Sequence, residues 1–203
     1  MKDLICAAFI KDNKLFCCKS KENADCWSLP FGIYGADFTA ETHIAALKKE
    51  ILSNFEMPFY VCIGEDGGPD VKITTAYCVS KDKDIVLSVP RDVKWLAADK
   101  LDNLAWDPSL ETIIPKIKEQ LQPNRYTLAI AKSSVSFDGW NTSLEDAQDL
   151  VDIVWTGSCS AIEVENKFLN LIHERAAYCN STGEGWRGIK LYDASGKQIK
   201  QEG

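Results

Sequence analysis

The stretch GADFTAETHIAALKKEILSNFEM, residues 35–57, decides how this chain is read. Ile44, Leu47, Ile51 and, more loosely, Phe55 recur at helical spacing and predict an amphipathic helix with one apolar face. Thr39 is placed to cap it, although Thr-x-x-Thr lacks the Glu of a full capping box. On such a helix residues i, i+3 and i+4 are neighbours, so positions 50, 53 and 54 share a face. Three carboxylates there would hold Mg²⁺ through hard oxygen ligands. The chain places Glu50, Ser53 and Asn54 at those positions. The question is whether this is an active site or the shell of one.

Working outward, LICAAFI, KDN and KLFCCKS read as strand, turn and returning strand. WSLPFGIYG is extended, FYVCIGE and VKITTAYCVS are strands around a DGGPD turn, and DIVLSV follows. VKWLAADKLDNLAW predicts a short strand, then a helix starting near Ala98 or Asp99. DPSLETIIPKIKEQL predicts a second helix entered at Pro108 and kinked or restarted at Pro115. Residues 122–125 read as a linker between a 1–121 domain and a small α+β domain over 126–203. In the latter, RYTLAIAKSSVSF is a strand, SLEDAQDLVDIVW a helix capped by Ser143, AIEVENKFLNLIHERAAYC a further helix, and WRGIKLYDASGKQIK a hairpin turning at Ser-Gly.

Bulk properties narrow the partners. The formal net charge is −7, and no basic patch offsets it, which argues against a nucleic-acid polymer. The first apolar run is too short to span a bilayer and lacks the n-region and cleavage pattern of a signal peptide, so a cytoplasmic protein without a membrane partner is expected. Eight cysteines without a single C-x-x-C pair, and two histidines without ligand-spaced neighbours, point to core cysteine rather than to zinc or a disulfide scaffold. The G-x-G-x-x-G match at Gly183, Gly185 and Gly188 precedes a strand-like IKLYD, so it offers no helix N-terminus to a pyrophosphate. Trp140, Trp155 and Trp186 read as core of the smaller domain rather than as a surface groove.

Three separated segments carry a family resemblance. Gly35, five residues, Glu41, seven residues, then Lys49-Glu50-Ile51 keep the spacing of the box G-x5-E-x7-R-E-U-x-E-E-x-G-U, where U is bulky and aliphatic. WSLPFG resembles that family's W-x-x-P-G-G lead-in, and VKWLAADKLDNLAWDP its closing segment. Residues 1–121 therefore resemble the Nudix hydrolases, most of all the MutT-like nucleoside triphosphate pyrophosphohydrolases. The resemblance implies an α/β/α sandwich with a mixed sheet, Mg²⁺ as cofactor, and a small nucleotide or other diphosphate-containing molecule as substrate. It implies Glu50 as catalytic residue, and Glu50, Ser53 and Asn54 as metal positions. It makes Lys19, Gly32, Gly35, Glu41 and Lys49 substrate-side or box positions, with Lys21 beside Lys19. The metal would clamp a diphosphate and help to generate hydroxide.

Four departures bear on that chemistry. Ser53 and Asn54 replace two glutamates, and Glu56 replaces the last box glycine. The Gly-Gly of the lead-in is Phe31-Gly32, with about three extra residues before Gly35. A further family glutamate falls on Val89, and the base-reading polar residue on Leu110. Neutral Ser and Asn oxygens bind Mg²⁺ weakly. Glu56, Glu65, Asp66 and Asp92 are the nearest replacement ligands by sequence. The expectation is weak or lost hydrolysis. The alternative is a non-catalytic nucleotide-binding or regulatory protein on a Nudix scaffold, with 126–203 as its partner surface.

Overall fold

The computed structural model describes residues 2–35, 39–57, 61–67, 70–132 and 143–202. The first part of the expected FYVCIGE strand, the tip of the DGGPD turn, the distal half of RYTLAIAKSSVSF and Trp140 lie outside them. The chain divides into two compact units, Met1–Gln122 and Pro123–Gly203.

The first unit is built on a mixed sheet. β1 (Lys2–Lys11) and β2 (Lys14–Lys19) form the expected hairpin. Its turn residues Asp12 and Asn13 both have positive φ, 51° and 57°, the twist a two-residue hairpin turn requires. β3 (Trp27–Ser28) and β8 (Val93–Ala97) pair with β2, and β4 (Phe31–Tyr34) pairs with β1. β7 (Val71–Ser80) runs parallel to β1 and takes β5 (Phe55–Glu56) and β6 (Cys62–Asp66) as antiparallel neighbours.

The side chains of β1 alternate between two cores, as strand geometry requires. Leu4, Cys6 and Ala8 pack toward Leu101 of α2 (Ala98–Leu101), Leu110 of a 3-10 turn at Pro108–Leu110, and Ile113 and Ile117, the N-cap and a residue of α3 (Ile114–Gln120). Ile5, Ala7 and Phe9 pack toward Ala46 and Leu47 of α1 (Ala40–Lys48). Helices therefore cover both faces of a mixed sheet, which is the α/β/α sandwich expected. Pro115 lies in the first turn of α3, where its missing N–H costs nothing, so it restarts the helix rather than kinking it.

Gly32 sets the distance between α1 and the sheet. A Cβ there would stand 2.3 Å from the carbonyl oxygen of Ala46. The N-terminus of α1 is capped reciprocally in spite of the missing Glu. Thr39 Oγ1 accepts the Thr42 N–H at 3.2 Å, and Thr42 Oγ1 accepts the Thr39 N–H at 3.2 Å.

The second unit is a four-stranded antiparallel sheet in the order β10–β9–β11–β12, formed by β9 (Asn124–Ala131), β10 (Val151–Cys159), β11 (Ile189–Tyr192) and β12 (Gln198–Glu202). α5 (Ala161–Thr182) packs Val164, Phe168 and Leu169 on one face. Trp155 and Trp186 are partly buried against that cluster. The expected helix over SLEDAQDLVDIVW is corrected. Only α4 (Leu144–Ala147) is helical, and from Val151 the chain is strand. Ser143 and the acidic first turn start a helix, but the β-branched Val151, Ile153 and Thr156 gain more by pairing with β9. Among the described residues no helix is long and apolar enough to cross a membrane.

Candidate functional site

The helix that opens the box stops short of it. α1 ends at Lys48, and Lys49 is its C-cap. Glu50, Ser53 and Asn54 therefore do not stand on one helical face, which corrects the expectation that one helix carries them all. Residues 50–53 dock instead on residues 86–88. The Leu52 N–H donates to the Val86 carbonyl at 2.8 Å, the Ser88 N–H to the Glu50 carbonyl at 2.7 Å, and Ile51 bridges to Leu87. Burying Ile51, 1% exposed, and Phe55 in the α1-side core favours this exchange. Ser53 and Asn54, which compete with helix backbone through their own side chains, do not resist it.

Each of the three metal positions is already engaged. Glu50 is 2% exposed, not a residue on a solvated face. Its two carboxylate oxygens are held by the Lys21 ammonium and the Arg91 guanidinium, and Ser88 Oγ donates to it at 3.3 Å. Ser53 Oγ accepts the Val86 N–H at 2.5 Å and is turned away from ligand duty. Asn54 donates its backbone N–H to Asp82 at 2.6 Å and its side-chain amide at 3.1 Å.

Charges around Glu50 perturb their neighbours. Burial, then the Arg91 charge, push the Lys21 pKa down, against the pull of the Cys18 thiol. Burial pushes the Cys18 thiol up, and Arg91 and Lys21 pull it back. The Asn54 backbone N–H, then its side-chain amide, hold the Asp82 carboxyl below its ordinary 3.8. A depressed folded-state value means that this clamp is fully present above pH 3.8 and is lost as pH falls through the folded value. Urea titrations at pH 7 and pH 3 are expected to lose less stability between the two in Asp82→Asn than in the parent protein.

The remaining box positions do not gather around Glu50. Glu41 lies in the first turn of α1 and is exposed, where it suits the helix dipole. Lys49 is exposed and forms no ion pair among the described residues. Gly32 is taken up by its contact with α1, and a Cβ on Gly35 would meet nothing within 4 Å. Lys19 donates to the Asp25 carbonyl at 3.1 Å and lies over the Trp27 ring. The replacement ligands are dispersed too. Glu56 pairs with Lys81 at 2.7 Å, Glu65 with Lys72 at 3.7 Å, and Asp66 accepts the Gly67 N–H. Among the described residues no three His, Cys, Asp or Glu side chains come together as a metal site. The described residues do not fit a resident Mg²⁺.

Arg91 escaped sequence reasoning. It is the single arginine in residues 1–122, set among many lysines, and that isolation was the one available signal.

A cavity of about 110 Å³ lies in the first unit, lined by Leu4, Phe31, Ile73 and Leu110 with the polar Ser28 and Asp107. Ser20 Oγ donates to Asp107 at 3.0 Å and Ser109 Oγ donates at 2.7 Å, which fixes the carboxylate. At that size it takes a ring or part of a ligand, since pockets enclosing a whole drug-sized molecule run to roughly 300–1,000 Å³.

No protein-family model matches the chain, and no curated protein does. The solved structures it matches include Nudix hydrolases. An ADP-ribose pyrophosphatase from Streptococcus suis is 15% identical, with 58% of this chain and 90% of that one covered and a TM-score of 0.45. MutT from Aliivibrio salmonicida and Vibrio cholerae is 11% identical over 59% and 98%, with a TM-score of 0.46. A Nudix-family hydrolase from Clostridium perfringens is 14% identical over 59% and 95%, again at 0.46. Such identities do not transfer chemistry, which this chain's own residues must supply.

Restoring the two missing carboxylates is the direct engineering test of the box. Because Ser53 is buried against Val86 and Asn54 is clamped by Asp82, Ser53→Glu with Asn54→Glu is expected to lower stability and to add no Mg²⁺ binding. Calorimetric titration with MgCl₂ and a urea melt check the two halves.

Proposed function

We propose that the first unit is a binding module for a small nucleotide or other diphosphate-containing molecule, with metal-dependent hydrolysis lost. The observation that supports this is the state of Glu50. Its carboxylate is enclosed by Lys21 and Arg91, where a hydrolase of this pattern would present it to a cation. Mg²⁺ sheds water reluctantly and needs carboxylates, and two tethered cations repel it. The cavity beside Phe31 supplies a seat for the organic part of such a ligand.

In this reading the protein acts in the cytoplasm, and residues 126–203 supply the surface for a protein partner. Leu150, Ile153 and Val154 are exposed there, at 54%, 56% and 46%.

The test is phosphate or diphosphate release from a panel of nucleoside triphosphates, ADP-ribose and nucleotide sugars with Mg²⁺ or Mn²⁺. No release above the protein-free control is expected. Turnover that disappears in Glu50→Gln would return the protein to the hydrolases.

A further inference from the structure

The Lys21–Arg91–Glu50 cluster carries more cation than its carboxylate needs. Two positive side chains face one negative one, leaving a formal charge of +1. The Arg91 side chain is 8% exposed, its Nη2 is used on Glu50, and it also reaches the Cys18 thiol. Its Nε and Nη1 are buried without a hydrogen-bond partner among the described residues. Buried guanidinium donors are costly to leave unmade, and a guanidinium fork matches phosphate geometry. Lys21 is the accessible member, with 35% of its side chain exposed. Its ammonium lies 5.5 Å from the centre of the Phe31 ring, and Phe31 is a wall of the cavity. A small cavity of mixed lining, with Glu22 and Asp107 on its wall, thus shares Phe31 with an excess positive charge.

We propose that Lys21 and Arg91 form a metal-free phosphoryl site, in which two tethered cations take the ligand's diphosphate and Glu50 is the internal anion that yields to it. This rests on the proposed binding function and specifies its ligand chemistry. The exposed Lys21 meets the phosphoryl oxygens first, and Glu50, already paired to both cations, competes with them for the same donors. Glu50 therefore weakens anion binding here, where a metal-ligating glutamate would be needed for it.

The test is calorimetric titration of the full chain with pyrophosphate and, separately, ADP, in EDTA at low salt. Saturable binding without metal is expected. Lys21→Ala is expected to weaken it by about tenfold or more, and Glu50→Gln to strengthen it by about tenfold, the worth of one charge-assisted contact. Lys21 is partly exposed, so its variant folds even where Arg91→Ala does not. Tighter binding of ADP than of pyrophosphate assigns the site to a nucleotide-borne diphosphate, and equal affinity to the diphosphate alone. The proposal is overturned by absence of binding in the parent protein, by binding that requires Mg²⁺, or by affinities that neither substitution changes. Binding confined to Glu50→Gln overturns it too, since the carboxylate would then consume both cations. Metal-dependent hydrolysis by the parent protein is a separate result that sinks the functional reading.

Discussion

Arg91→Ala is expected to cost about 3–5 kcal/mol in the stability of the first unit, because removing one partner of a buried ion pair strands the other charge. Glu50 is 2% exposed and has no route to water of its own. Its second cation, Lys21, is one-third exposed and cannot replace the guanidinium in the interior. Replacing Arg91 by Met and Glu50 by Leu together is expected to recover most of the loss, since apolar residues of similar volume often serve as well as a buried pair. Urea denaturation, followed by a probe in the first unit, measures both. A loss below about 1 kcal/mol in Arg91→Ala would place that pair among surface-like interactions instead.

Gly32→Val is the second large effect, and it acts through shape. The first atom of any side chain at Gly32 would stand 2.3 Å from the Ala46 carbonyl oxygen and 2.9 Å from the Leu47 nitrogen. Both are helix backbone and cannot rotate away. α1 would have to lift off β4, exposing Ala46 and Leu47, which are 3% and 0% exposed. The expected cost is about 3 kcal/mol or more, at the upper end of overpacking effects. The shift would also move Glu50, two residues beyond the helix end, away from Arg91. The urea midpoint reads the first consequence. The second appears as a change in the Arg91 side-chain resonances.

What was legible in the sequence follows from range. The β1–β2 hairpin was readable because Asp12-Asn13 and the flanking apolar runs are local signals. So was the capped start of α1 at Thr39, and the restart at Pro115. Two local readings failed for the same reason. Residues 50–55 and 151–155 both carry helix-like spacing, yet the first pairs with residues 86–88 and β7 and the second with β9. Tertiary pairing overrides periodicity where residues are β-branched or polar.

The site was half legible. The loss of carboxylates at 53 and 54 is plain in the sequence, but what fills their place is not. The partners of Glu50 lie 29 and 41 residues away, in separate loops. Counting residues points to an isolated acid on a solvated surface. Folding delivers a buried acid between two bases, and only long-range packing distinguishes them.

The central claim is that tethered cations occupy the coordination a divalent metal would need. Mn²⁺ titration followed by electron paramagnetic resonance tests it most directly, because free and bound Mn²⁺ are counted separately. No saturable site is predicted below about 1 mM in the parent protein. One Mn²⁺ per chain held more tightly than that, and released by Glu50→Gln, would contradict the account.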